Sequence, residues 1–273
     1  MNCYRKEVLV SSDPQIYRLQ HIYAMAVGYL EDNAPVSRDE LKRYFDIKKT
    51  YTTKNEILYV LFGSLQNRNQ MANVIGFGTQ KKNDVFKNIF YDYDGAKILA
   101  VYETDDNLFR HFTSLFPIRN QESKDNLWRK YSKFIFSACR FMEKFNTAED
   151  FTEFVERFIY NELSAAALPL VLSREVDGLG FALACDWLKD LGFSEYPKPD
   201  VHIIEIFYKS GLCENTDYSA YKAVIKMARA TGDTPFNIDR TFWLIASGKY
   251  YLHDKKIPSG KEEIIEIILS TEE

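Results

Sequence analysis

Apolar residues return at intervals of three and four along nearly the whole chain, the spacing of one helix face, and helix-start signals punctuate that pattern. Pro14 follows Ser12 and Asp13 at the head of the stretch Ile16 to Glu31. Ser37 and Glu40 form an S-x-x-E capping box ahead of Leu41, Tyr44 and Phe45. Thr52 or Thr53 stands before Ile57, Leu58, Val60 and Leu61. The polar turn Gln66-Asn67-Arg68-Asn69-Gln70 leads into an apolar stretch to Phe77, closed by Gly76 and Gly78. Further helices are expected over 80–90, 104–116, 121–145 and 150–164, with Thr104 and Thr147 as N-caps followed by acidic residues that suit the helix dipole. Segment 91–103 reads as a short strand or a loop, and Ile264 to Leu269 as a terminal helix or strand. No repeat of solenoid period occurs. With 12 Gly and 8 Pro in 273 residues, little of the chain is linker. The expectation is an all-α fold, a helical bundle of one large domain or two packed lobes, with at most a minor strand element.

Composition narrows the function classes. Hydrophobic residues make up 46 % of the chain, and most of the 20 Phe and 18 Tyr must serve the core. Cys3, Cys139, Cys185 and Cys213 are far apart and form no CxxC pair, which argues against a zinc site or an iron–sulfur cluster and fits a reducing compartment. The segment MNCYRKEVLV lacks the apolar run of a signal peptide, and Ala165 to Leu172 is too short to span a bilayer. A soluble cytoplasmic protein with no membrane contact is expected. The net charge of −4 speaks against nucleic acid, but its distribution is uneven. Lys48 to Lys87 holds seven basic residues against two acidic, and Glu143 to Glu162 holds six acidic against two basic. One basic face and ordinary solvated helix faces are both compatible with that pattern.

The chemistry concentrates in residues 170–213, which read helix, tight turn, helix, loop, helix. The turn is Val176-Asp177-Gly178-Leu179-Gly180. Glycines two apart at a helix start permit positive φ and leave backbone N–H groups bare, an arrangement that binds anions; it also serves as a plain turn. Asp200, in Lys198-Pro199-Asp200-Val201-His202, precedes the apolar run Ile203, Ile204, Ile206, Phe207, and aspartate at such a place is first of all a helix cap. His202 reads as a packed or hydrogen-bonded residue. Tyr51, Phe181, Trp187 and Trp243 read as core, or as walls of a stacking pocket.

The stretch resembles the helix-hairpin-helix motif of base-excision DNA glycosylases. There, a hydrophobic-Pro-Gly-hydrophobic-Gly hairpin opens a helix, and an essential aspartate follows at the start of the next. Here the hairpin is Val176 to Gly180, Asp200 lies eighteen residues after Ala182, and the following helix ends at Ser210-Gly211-Leu212. The likeness is tight over about 45 residues and looser over roughly 50–255, where Asp239-Arg240-Thr241-Phe242-Trp243 is similar to the family's last helix. It implies an N-terminal helical extension (1–50), a glycosylase-like domain (51–255) and an acidic C-terminal tail (256–273). It also implies double-stranded DNA as partner and base excision after base flipping, with Asp200 as the catalytic carboxylate. The backbone at Gly178, Leu179, Gly180, Phe181 and Ala182 would hold a DNA phosphate, with a monovalent cation at the hairpin as an option and no other cofactor. Gln66, Asn67, Arg68, Asn69 and Gln70 would face the gap left by the extruded base.

Two departures bear on that reading. Asp177 replaces the hairpin proline and sets a carboxylate beside the phosphate site, pointing away, capping the turn or holding a cation. Ala182 stands where family members with a lysine form a Schiff base, so the resemblance implies hydrolysis by water without lyase chemistry. A DNA-binding protein without catalysis, in a repair or defence assembly, and a helical protein-interaction module are the alternatives.

Overall fold

The computed structural model describes residues 13–68 and 71–270. Those residues form fifteen α-helices and one two-stranded antiparallel ribbon, Lys249–Tyr250 with Lys255–Lys256. The all-α expectation holds, with the ribbon as its minor strand element. The chain divides into two compact units, one of Lys49–Gly192 and the other joining Met1–Lys48 to Phe193–Glu273.

In the central unit the helices are α3 (Lys54–Gln66), α4 (Ala72–Ile75), α5 (Asn83–Ile89), α6 (Gly95–Tyr102), α7 (Asp105–Leu115), α8 (Leu127–Met142), α9 (Ala148–Glu156), α10 (Glu162–Glu175) and α11 (Phe181–Asp190). Helix α8 is the hub. It packs against α3, α6 and α7 and buries Tyr131, Ile135, Ala138 and Met142, residues spaced three and four apart. Around it lies an aromatic core that includes Phe62, Phe86, Phe90 and Phe112, each worth about 1.5–3 kcal/mol when fully buried.

The expected starts are present. Thr53 and Thr147 cap α3 and α9 with capping boxes, and Thr104 caps α7. The helix expected over 150–164 is two helices, because Asn161 accepts the Ser164 N–H and opens α10. The 91–103 segment, expected as strand or loop, is mostly helix. Asp94 accepts the Lys97 N–H at 3.0 Å and starts α6, while Tyr91, Asp92 and Tyr93 just before it all have positive φ (49°, 57° and 63°).

In the other unit the helices are α1 (Pro14–Asn33), α2 (Arg38–Lys42), α12 (Val201–Lys209), α13 (Asp217–Thr231), α14 (Pro235–Ser247) and α15 (Lys261–Ser270). Asp13 and Pro14 start α1, and Ser37 with Glu40 starts α2, as the sequence signals require. Ile22, Ala26 and Leu30 of α1 share a core with Phe207, Val224, Phe242 and Ile264. The N-terminal helices are therefore not an extension, and residues 256–270 are not a tail. Helix α1 packs against α13, α14 and α15, and α15 packs against α1, α12 and α14. Among the described residues no helix is long and apolar enough to cross a membrane.

Candidate functional site

The hairpin lies in the central unit between α10 and α11. Val176 and Leu179 are fully buried and pin the turn, whose Leu179 N–H donates to the Val176 carbonyl at 3.1 Å. Gly178 has φ +86°, as position i+2 of a type II turn requires, and a Cβ there would fall 2.5 Å from the Phe134 ring of α8. The fold demands that glycine twice over.

Gly180 is different. It is the N-cap of α11 with φ −75° and ψ 168°, values open to any residue, and a Cβ there would meet nothing within 4 Å. As N-cap, Gly180 contributes no side-chain hydrogen bond to the first turn of α11. The N–H groups of such a turn have no intrahelical partner, and with the helix dipole they favour a negative group. Phe181 is buried and Ala182 half-buried on the first turn.

Asp177 is tied to α8 at both ends. Its N–H donates to Ser137 Oγ at 2.8 Å, and its carboxylate lies 3.2 Å from Lys133 Nζ. The carboxylate thus pairs with an ammonium at the surface. Beside it is a groove of about 310 Å³, lined among others by Ser137, Arg140, Lys144 and Glu175, with Lys144 and Glu175 paired across it.

The polar turn after α3 is only partly available. Gln66 is buried, its side chain spent on the backbone of Phe77: Nε2 donates to the carbonyl and Oε1 accepts the N–H, both at 2.9 Å. Asn67 and Arg68 are exposed, and the Arg68 guanidinium lies 5.6 Å from the centre of the Phe134 ring, the ring against which Gly178 packs. Phe134 thereby brings Arg68 and the hairpin to a common support. Asn69 and Gln70 lie outside the described residues.

The basic and acidic segments noted in the sequence partly pair with each other. Lys49 meets Glu149 at 3.4 Å and Lys54 meets Glu143 at 3.5 Å. Lys82 is spent on the Ile75 carbonyl, and burial pushes its amine below the usual lysine range. Lys49, Lys54 and Lys82 thus have partners within the unit, while Arg68 stays exposed.

Asp200 lies in the other unit, half-buried at the start of α12. Its Oδ1 accepts the N–H groups of His202 (2.9 Å) and Ile203 (3.2 Å), and Oδ2 makes no hydrogen bond or ion pair among the described residues. One oxygen fixes the carboxylate at the helix start, and the other is uncommitted among the described residues. His202 has Nδ1 enclosed without a hydrogen-bond partner among the described residues. Of the four aromatic candidates, Tyr51, Phe181 and Trp187 are buried core and Trp243 is half-buried. Asp239, which the sequence marks only as part of the Asp239–Trp243 stretch, is 4 % exposed on α14 and accepts the Lys198 N–H at 2.9 Å.

No known protein family matches the chain, and no curated protein matches it by sequence. Among solved structures it is similar to the 8-oxoguanine glycosylase/lyase of Methanocaldococcus jannaschii in complex with DNA containing 8-oxoguanine. Identity is 16 % and the TM-score 0.45, over 86 % of this chain and 98 % of that one. Likeness of that degree assigns this chain neither family nor activity.

Proposed function

We propose that the chain is a DNA N-glycosylase that takes a damaged or modified nucleotide out of duplex DNA and hydrolyses its N-glycosidic bond. The observation that carries this reading is the start of α11, where the N-cap is a glycine required by neither backbone nor packing, which supplies no side-chain cap of its own. A DNA phosphate oxygen suits that end, because N–H groups and dipole favour an anion and the missing side chain lets it approach. Leu179 and Gly178 set the turn, the backbone at Gly180, Phe181 and Ala182 receives the phosphate, and Arg68 with Asn67 adds polar contacts.

Asp200 supplies the chemistry. As the C1′–N bond lengthens, positive charge grows on the sugar, and a fixed carboxylate oxygen stabilises it. The same oxygen accepts a proton from the attacking water, the C1′–O bond forms, and the base leaves with the bond's electron pair and is protonated from solvent. Position 182 carries no amine, so water and not a lysine is the nucleophile, and the enzyme is monofunctional.

A second reading, a DNA-binding protein without chemistry, is favoured by one observation: Asp200 already has a structural task as the cap of α12. One experiment separates the two. Wild type and Asp200→Asn, which retains a capping oxygen, are incubated with duplexes carrying oxidised, alkylated, deaminated or hypermodified bases, then treated with alkali. The proposal expects alkali-labile sites with wild type only. Bound duplex without release from any of them selects the second reading, and strand cleavage before alkali contradicts hydrolysis by water.

A further inference from the structure

The segment that delivers Asp200 has an unusual backbone. In Tyr196-Pro197-Lys198-Pro199-Asp200 the two prolines have no N–H, so Lys198 carries the only backbone donor between Tyr196 and Asp200. That donor goes to Oδ2 of Asp239 at 2.9 Å. The Lys198 carbonyl in turn accepts the Asp200 N–H at 2.8 Å. One turn earlier on α14, the Phe236 N–H donates to the Ser194 carbonyl at 3.0 Å. Helix α14 therefore grips the lead-in at two points, and the second is two residues from the capping aspartate. Tyr196, Pro197 and Pro199 are buried, so the segment has little room to shift while that hold lasts. A buried carboxylate is costly unless hydrogen-bonded, and a bond from a charged acceptor is stronger than a neutral one. The cost fits a group that fixes something.

We infer that Asp239 is a positioning residue for Asp200: it holds the one hydrogen-bond handle of the Pro-Lys-Pro lead-in and so sets where the catalytic carboxylate stands. This rests on the reading of Asp200 as that carboxylate. Phe207 of α12 also packs edge-on against Phe242 of α14, with ring centres 5.0 Å apart, so α14 supports the helix that Asp200 starts as well as the loop before it.

The test has two arms on the full chain, with wild type, Asp239→Asn and Asp239→Ala; Asp239→Ser, too short to reach Lys198, replaces alanine if alanine does not fold. The first arm is amide hydrogen exchange. In the short variant Lys198, His202 and Ile203 should exchange at least about tenfold faster while the amides of α13 hold; Asp239→Asn, whose amide oxygen still accepts, should match wild type. Unchanged protection at His202 and Ile203 overturns the inference. The second arm is base release from duplexes carrying 8-oxoguanine, uracil, hypoxanthine or 7-methylguanine under single-turnover conditions. The short variant should lose at least about tenfold in rate with DNA affinity within twofold, and Asp239→Asn should stay within about threefold. An unchanged rate in a folded short variant also overturns it. If wild type releases no base at all, the catalytic reading of Asp200 falls, and the exchange arm still decides whether Asp239 sets its position.

Discussion

Helix α12 is satisfied from within at its start, where Asp200 gives one carboxylate oxygen to two backbone N–H groups. Helix α11 starts at Gly180, which supplies no side-chain cap, although φ and surrounding space would admit a capping aspartate or serine there. The two starts face the same physical need, since each helix has orphan donors in its first turn. The difference teaches where to look for a ligand. An end the chain could have capped and did not is available to something outside the chain, and the residue that leaves it open is dispensable to the fold.

The comparison can be broken in several ways. The largest effect is expected at Asp200. Asp200→Asn keeps the cap and should leave thermal unfolding nearly unchanged, while base release falls about a hundred- to thousandfold, as for loss of one electrostatic stabiliser. Equal release by the two proteins would make Asp200 a cap and nothing more. Next comes Gly178→Ala, which puts a Cβ into a φ of +86° and against Phe134. It should cost about 3 kcal/mol in urea unfolding from strain and overpacking. Asp200→Ala removes the cap and should cost about 1 kcal/mol. The smallest effect is at Asp177→Asn. Its pair with Lys133 is exposed, so stability should change by less than about 0.5 kcal/mol. DNA affinity should rise modestly at low salt as a negative charge leaves the hairpin.

What the sequence made legible was local. Ser37 with Glu40, Thr104, Thr147 and the Gly178–Gly180 turn all act within four residues, and their roles in the fold follow from their own neighbours. The unreadable parts depend on distant partners. Asp177 points to Lys133, forty-four residues upstream, and Gln66 folds back on the backbone of Phe77. Helix α1 finds its cover near the other end of the chain, which no local pattern encodes. The left-handed run Tyr91-Asp92-Tyr93 contains no glycine, so nothing marked the sharp entry into α6. The Lys198–Asp239 bond joins residues forty-one apart and left no trace beyond a charged residue on an apolar face.

The most direct test is DNA affinity and thermal unfolding measured together on Gly180→Asp. Aspartate is a favoured N-cap and φ −75° admits it, so the variant should be more stable by a few tenths of a kcal/mol. Its carboxylate would occupy the phosphate position, so affinity for duplex DNA should fall about tenfold or more, with a shallower salt dependence. Stability gained and binding lost in one protein is the predicted result. Unchanged DNA affinity in a folded Gly180→Asp protein would contradict the account, because α11 would then be an ordinary helix with an unused end.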